Sequence, residues 1–140
     1  MTNHTDRIKI ETTVKDPVEK VWKIWTAPGH IMKWNSASAD WHTTRAENDL
    51  RTGGTFVSGM EAKDGSFGFD FGGTYDQVKP NELIEYTMED GRKVQVKFKG
   101  NGNETIVSES FDTEDTHPKD VQRSGWQSIL DNFKKYTEAQ

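Results

Sequence analysis

Hydrophobic and polar side chains alternate strictly in residues 7–14, RIKIETTV. Ile8, Ile10 and Val14 fall on one side of this segment, and charged or polar residues fall on the other. A period of two is typical of a half-buried β-strand, because successive side chains of a strand point to opposite faces. The pattern therefore predicts a first strand over residues 7–14.

A helical period follows the first strand. Four apolar residues recur at the spacing i, i+3, i+4 and i+7, namely Val18, Val21, Trp22 and Trp25. That spacing lines one face of a short helix. Asp16 is the predicted N-cap and Pro17 the first helical residue. Pro28 and Gly29 end this helix, and residues 30–34 predict a second helical segment of one or two turns.

In the middle of the chain, short turn-forming segments recur at the spacing that is typical of an antiparallel β-meander. Six strands are predicted here, at about 39–48, 54–61, 67–78, 82–88, 93–99 and 104–112. Short turns rich in Gly, Asn and Asp separate them, and two of these turns are Asp-Gly pairs suited to hairpins. Gly72 and Gly73 interrupt the longest predicted strand, so we expect a bulge or a sharp bend there.

The last quarter of the chain predicts one long amphipathic helix. Pro118 is a plausible first-turn residue, with His117 or Thr116 as its cap. An apolar stripe follows, made of Val121, Trp126, Ile129, Leu130, Phe133 and Tyr136. A helix this apolar on one face must lie against another layer, and the predicted sheet is the only large layer available.

Composition narrows the class of protein. The chain has 140 residues, of which 31% are hydrophobic, and we expect one domain over residues 1–140. It has no cysteine, which excludes disulfide scaffolds, thiolate metal sites and thiol nucleophiles. No apolar stretch approaches the roughly 20 residues of a membrane-spanning helix, and no signal-peptide core follows Met1. The net charge of −5 without a basic run argues against nucleic-acid binding. We therefore expect a cytoplasmic protein that does not insert into membranes.

A strongly twisted sheet that covers one helix tends to curl. If it curls around the helix, its concave face and the apolar stripe can enclose a cavity suited to a hydrophobic small molecule. The predicted lining residues are Trp41, Phe56, Met60, Phe69, Phe71, Tyr75, Phe98, Trp126 and Ile129. The alternative is that these side chains fill one another's volume and leave a solid core.

Four strand residues are candidate polar groups of such a cavity, namely His42, Glu61, Glu85 and Glu109. A buried carboxyl with a raised pKa would be a candidate general base, whereas on the solvated face each group has no special role. The four histidines have no metal-ligand spacing, so we expect no metal and no cofactor. No Gly-x-Ser-x-Gly motif occurs, and we assign no catalytic residue.

An ordered set of short segments resembles a known family. The segments are PV at 17–18, VWKIW at 21–25, Trp34, LRTGGTF at 50–56, Met60, GTYDQVKPNELI at 73–84, Thr105 and GW at 125–126. In this order they resemble homologues of the C-terminal domain of the activator of the ninety-kilodalton heat-shock protein's ATPase. That family belongs to the START-like, polyketide-cyclase-like (SRPBCC) superfamily. The resemblance covers about residues 7–137.

The resemblance implies an α+β helix-grip fold, in which a curved antiparallel sheet wraps around a long C-terminal helix. Two short helices follow the first strand, and a deep hydrophobic pocket lies inside. Members of the superfamily bind lipids, sterols, plant hormones or polyketides, and some catalyse cyclisation or hydration. Fold alone does not fix function, and the superfamily has no universal catalytic motif to carry over.

Three functions therefore stand as hypotheses. The first is binding of a lipid- or polyketide-like molecule in the cavity, without catalysis. The second is a cyclase or hydratase that uses the same cavity, and the third is an interaction module that contacts a chaperone. We expect a monomer or a weak homodimer.

Overall fold

The computed structural model describes residues 7–36 and 40–140, so His4 and the predicted strand start at residue 39 lie outside it. The described elements follow the predicted order. They are β1 (Arg7–Val14), α1 (Val18–Thr26), α2 (Pro28–Trp34), β2 (Trp41–Asn48), β3 (Thr55–Ala62), β4 (Gly68–Lys79), β5 (Leu83–Met88), β6 (Lys93–Asn101), β7 (Glu104–Asp112) and α3 (Lys119–Glu138).

The seven described strands form one antiparallel sheet with the order β1-β7-β6-β5-β4-β3-β2. Strands β2 to β7 pair with their neighbours in sequence because short turns connect them. Strand β1 adds to the edge at β7, with Ile8 opposite Phe111. The sheet curls into a half-barrel around α3, and the two short helices follow β1, which confirms the helix-grip fold.

Both predicted helix starts differ from the structure by one residue. Pro17 and Pro118 occupy the N-cap positions of α1 and α3 rather than the first turn, and no side chain caps either helix. The carbonyl of each proline instead accepts hydrogen bonds from the amides three and four residues later. Asp16 forms an ion pair with Lys20, and His117 lies against Glu114. The predicted capping roles of Asp16, and of His117 or Thr116, were therefore wrong.

The irregularity of β4 lies beyond its glycine pair. The register with β5 shifts between Tyr75 and Gln77, whereas Gly72 and Gly73 keep regular pairing with β3. A Cβ atom on Gly73 would lie 2.4 Å from the carbonyl oxygen of Thr87. The glycines thus allow a close approach between strand backbones, and the predicted bulge is three residues further along.

One end of the space between sheet and helices is filled by aromatic rings. We call this the packed cluster, and its members are Trp22, Trp25, Trp34, Phe98 and Phe133. Trp25 contacts Phe98 and Phe133 edge to face, at centroid distances of 5.7 and 4.8 Å. The indole of Trp34 donates a 2.9 Å hydrogen bond to the carbonyl of Ile24. This end of the core is solid.

Candidate functional site: a cavity between sheet and helix

A cavity of about 420 Å³ separates α3 from the concave face of the sheet. The backbone of α3 comes close to β1, α1 and α2, whereas the cavity is walled by β3, β4, β5 and β7. The volume falls in the range of about 300–1,000 Å³ that is typical of small-molecule sites. The structure thus leaves space where the aromatic pattern also permitted a solid core.

Alternation along three strands supplies the sheet wall. Phe56, Ser58 and Met60 of β3 share one face, as do Phe69, Phe71 and Tyr75 of β4, and Ile84, Tyr86 and Met88 of β5. Phe56 lies at the centre, with ring centroids 5.1 Å from Tyr75 and 4.8 Å from Tyr86. Because side chains two apart in a strand point to the same side, the wall follows directly from strand periodicity.

One stripe of α3 supplies the opposite wall. Gln122, Gly125, Trp126 and Ile129 line the cavity at intervals of three, four and seven residues. The indole of Trp126 stacks on Phe111, with centroids 4.1 Å apart and planes inclined by 10°. A Cβ atom on Gly125 would meet no atom within 4 Å, so this position faces open space.

The packed cluster closes the inner end of the cavity. Trp25 and Trp34 belong to both, and Ile31 of α2 joins them in the lining. The cavity therefore has a rigid apolar floor made by the two short helices.

Glu109 is the carboxyl group of the cavity wall. It lies on β7, is 6% exposed, and faces the same side as Val107 and Phe111. No hydrogen bond joins its carboxyl oxygens to any group among residues 7–36 and 40–140. Loss of contact with water raises its pKa from 4.5 to about 8. The carboxyl is therefore mostly protonated and uncharged at neutral pH.

Two tyrosines and the buried Ser58 carry the other polar side-chain atoms of the sheet wall. Burial raises the pKa of Tyr86 well above its usual value, Glu109 raises it further once it ionises, and the charge of Arg92 opposes the rise. Burial also raises the pKa of Tyr75, whose hydroxyl donates a 2.5 Å hydrogen bond to Oδ1 of Asn48. Both phenols are therefore neutral at neutral pH.

The other charged or ionisable groups of the lining come from two loops that border the cavity. Arg92 comes from the turn between β5 and β6, where its Nε lies 2.7 Å from Oδ2 of Asp90. Glu114 and His117 come from the loop before α3, and Oε1 of Glu114 is 2.8 Å from Nδ1 of His117. The buried amide of Gln122 donates to the backbone carbonyls of Glu114 and His117, which holds this loop in place. Hydrogen bonds from His117 lower the pKa of Glu114, although burial opposes the change.

The mouth also exposes apolar side chains. Phe69 is 46% exposed and Val121 is 52% exposed, and both line the cavity. An entrance of this kind lets an apolar molecule pass from water into the interior along a continuous apolar surface.

The structure brings together eight of the thirteen predicted site residues. They are Phe56, Met60, Phe69, Phe71, Tyr75, Trp126, Ile129 and Glu109.

The other five predicted residues lie elsewhere. Trp41 is not part of the lining; at the start of the edge strand β2 it contacts Phe67 and the lining residue Phe69. Phe98 is buried in the packed cluster against Trp22 and Trp25. Neither Trp41 nor Phe98 is part of the cavity lining, in contrast to the prediction.

The three remaining polar candidates also lie outside the lining. Glu85 is on the outward face of β5, where Nε2 of Gln95 donates to it at 2.5 Å. Glu61 is exposed and pairs in register with His42 on β2. Nε2 of His42 is buried without a hydrogen-bond partner in the described part of the chain. Because successive side chains of a strand point to opposite faces, Glu61 faces away from the side of Met60, and Glu85 faces away from the side of Ile84 and Tyr86.

Several lining residues were missed by the analysis of the sequence. Ile84, Tyr86 and Met88 alternate in β5, and that alternation was a usable signal. Arg92, Glu114 and His117 come from loops, where no periodicity exists to predict orientation.

No three acidic or histidine residues among those described form a group that could hold a metal ion. No helix in the described ranges is long and apolar enough to span a membrane.

Comparison with known proteins places this architecture in a family. The family model for Activator of Hsp90 ATPase homolog 1-like proteins matches residues 15–138. The chain belongs to this family. The match covers everything from the end of β1 to the end of α3, including all the cavity-lining residues, so this family member carries its cavity within the shared domain.

Two solved structures are similar in both sequence and fold. An AHSA1-like protein of Aeromonas hydrophila is 47% identical, with a TM-score of 0.90 over 96% of this chain and 93% of that one. A protein of Cytophaga hutchinsonii is 58% identical, with a TM-score of 0.83 over 95% of this chain and 92% of that one. A protein of Chromobacterium violaceum, 22% identical with a TM-score of 0.85, shares the fold. No curated protein matches the chain.

Proposed function

We propose that this protein binds a hydrophobic small molecule in the cavity between the sheet and α3. The observation that carries the proposal is the cavity itself, about 420 Å³ in volume and walled mainly by aromatic and aliphatic side chains. Apolar ligands gain free energy from leaving water, at about 25 cal/mol per Å² of buried apolar surface. An apolar cavity that is open at one end provides that gain to a molecule that fits it.

The size of the cavity limits the ligand. Each molecule in liquid water occupies about 30 Å³, so the cavity volume of about 420 Å³ equals that of roughly fourteen water molecules. A molecule with about that number of non-hydrogen atoms would fill the space. The flat rings of Phe56, Phe71 and Trp126 favour a ligand that has a planar or conjugated part.

The test is a comparison of binding with the cavity open and plugged. The neutral dye N-phenyl-1-naphthylamine fluoresces on entering an apolar site and serves as the probe. We expect the wild-type protein to bind it and to melt at a higher temperature with it, because a ligand that binds only the folded state stabilises that state.

Gly125 offers a plug with a matched control. In Gly125→Leu the new side chain starts from the cavity-lining stripe of α3 and extends into open space. We expect Gly125→Ala to keep dye binding and Gly125→Leu to lose most of it, with both variants folded. Equal dye binding in wild type, Gly125→Ala and Gly125→Leu would show that the cavity is not the binding site.

Glu109 supports a second candidate function, an enzyme of the cyclase or hydratase kind. A carboxyl with a pKa of about 8 can give and accept a proton near neutral pH. Such an enzyme would convert a bound carbonyl compound into a product, and Glu109→Gln would abolish conversion while binding persists. Recovery of the bound compound unchanged from wild-type protein would favour the binder.

The family description supports a third candidate, contact with a chaperone ATPase. Stimulation of Hsp90 ATP hydrolysis by the purified protein would support it. If this activity acts through the surface of the protein, Gly125→Leu should leave it intact. No stimulation at concentrations well above those of the chaperone would remove this candidate.

A further inference from the structure

Glu109 is a buried carboxyl that has no hydrogen-bond partner in the described part of the chain. Its neighbours in register are Ile10 of β1 and Val96 of β6, both buried and apolar. A buried polar group without a hydrogen bond destabilises the folded state relative to one that is satisfied. Buried side-chain polar atoms are usually hydrogen-bonded, so a group that faces a cavity without a partner indicates a missing partner.

We propose that Glu109 is the polar anchor of the cavity and donates a hydrogen bond to an uncharged carbonyl oxygen of the ligand. This inference rests on the proposed function and specifies the chemical class of the ligand. The ligand has an apolar body that fills the cavity and one ketone, ester or lactone oxygen that reaches β7.

The charge distribution of the cavity supports a neutral ligand group at this position. The titratable groups that line the cavity with Glu109 are Tyr75, Tyr86, Arg92, Glu114 and His117. The two tyrosines are neutral, and Arg92 is the one fixed cation among these groups; it pairs with Asp90, and its charge acts on Tyr86. No charge of the described residues acts on Glu109, because burial alone raises its pKa.

Protonation makes Glu109 a donor rather than an acceptor. Its pKa of about 8 keeps the proton on the carboxyl at neutral pH. A carbonyl oxygen accepts hydrogen bonds but cannot donate one, so it gains from this site only while Glu109 is protonated. The preference for a carbonyl ligand is fully present below about pH 8 and is lost as the pH rises through that value.

The experiment compares three probes of the same size and shape. They are 2-acetylnaphthalene, its hydrocarbon isostere 2-isopropenylnaphthalene, and the anion 2-naphthoate. At about pH 6 we expect wild-type protein to bind the ketone roughly 3–10-fold more tightly than the hydrocarbon, as one net hydrogen bond allows. We expect 2-naphthoate to bind more weakly than both, because burying a carboxylate without a cation is costly.

Two variants separate hydrogen bonding from shape. Glu109→Leu removes the donor, so the ketone and the hydrocarbon should bind equally, with the hydrocarbon still bound. Glu109→Gln keeps a donor that does not ionise, so the preference for the ketone should persist at about pH 6 and at about pH 10. In wild-type protein the preference should disappear at about pH 10.

The outcomes distinguish failure of the anchor role of Glu109 from failure of ligand binding in the cavity. If both naphthalenes bind wild-type protein with equal affinity, or if Glu109→Leu keeps the preference for the ketone, the anchor role is wrong and the binding cavity stands. If neither naphthalene binds, the proposed function fails and the anchor role fails with it. The carboxyl ¹³C shift of Glu109 adds an independent readout, because a ketone that binds the protonated form tenfold more tightly must raise its pKa by about one unit.

Discussion

The two ends of the core use the same kinds of residue for opposite purposes. In the packed cluster, Phe133 is fully buried and contacts Trp25 and Trp34 at 4.8 and 4.9 Å. In the cavity, Phe71 contacts Phe56 and Trp126 at centroid distances of 6.0 and 6.2 Å, and the walls leave about 420 Å³ between them. Aromatic composition therefore does not distinguish a solid core from a binding site.

The position of the short helices explains the difference. Near its C-terminal end, α3 carries Phe133, which packs against rings of α1 and α2. Near its N-terminal end, the helix presents Gln122, Gly125 and Trp126 to the sheet, and the described structure places no helix between them. The cavity remains at this end because no described helix fills the space between α3 and the sheet. The hydrophobicity of the walls does not decide the difference.

Truncation of a ring in the packed cluster should have the largest effect on stability. We expect Phe133→Ala to lower the free energy of unfolding by about 3–5 kcal/mol, because it removes a fully buried ring from close contacts. Urea unfolding followed by circular dichroism measures the loss. Phe67→Ala is the control, since Phe67 is 61% exposed and its removal should change stability by about 0.5 kcal/mol or less. A small loss at Phe133 would contradict the solid packing of this end.

The cavity end should depend on pH through Glu109. Its pKa is raised from 4.5 to about 8 on folding, so the folded state binds this proton more tightly than the unfolded state. The stability that it contributes is complete below about pH 4.5, decreases as the pH rises to about 8, and decreases no further above that. We expect Glu109→Gln to be more stable than wild type by about 2–5 kcal/mol at alkaline pH and by little at about pH 4.

Denaturant unfolding at a series of pH values measures this effect. Glu61→Gln is the matched control, because it removes an exposed carboxyl from β3 and should leave the wild-type pH profile unchanged. Parallel pH profiles for wild type and Glu109→Gln would mean that Glu109 is not desolvated.

Truncation of the cavity wall should cost less than truncation of the packed cluster. We expect Trp126→Ala to lower the free energy of unfolding by about 1–3 kcal/mol, since the ring packs on Phe111 on one side and faces space on another. The same urea experiment gives the number. A loss as large as that of Phe133→Ala, with unchanged dye binding, would favour a solid core at both ends.

The smallest expected effect is a gain at Gly125. Glycine in the middle of a helix is less favourable than alanine by about 0.5–1 kcal/mol, and the added methyl group meets no atom within 4 Å. We expect Gly125→Ala to raise the midpoint of urea unfolding accordingly. A loss of stability would mean that the stripe of α3 lies closer to the sheet than the structure shows.

Much of the fold was predictable from local patterns. The alternation in residues 7–14 and the helical spacing from Val18 to Trp25 correspond to β1 and α1 almost residue for residue. The family resemblance supplied the helix-grip arrangement, and the strand order confirms it. The errors were local: the bulge lies at Tyr75 to Gln77 rather than at Gly72, and prolines occupy the helix N-caps.

The site was predictable where strand parity or the apolar stripe of α3 sets orientation. Met60 and Phe69 are opposite each other in the register of β3 and β4, and both line the cavity. Parity did not separate Phe98 from this set, because Phe98 also points inward but meets the rings of α1. Whether an inward side chain lines a cavity or fills it depends on what faces it from a distant part of the chain.

The amino-acid sequence by itself determined the elements, their order and the inward-facing side of each strand, because these follow from periods of two and 3.6 residues and from turn chemistry. The packing of distant segments placed Glu109 in an apolar wall, without a partner among the described residues, and Glu85 on the outward face beside Gln95. It also decided that the rings around Phe56 enclose space while those around Phe133 exclude it. The physical reason is that burial, desolvation and empty volume are properties of surfaces that meet across the fold.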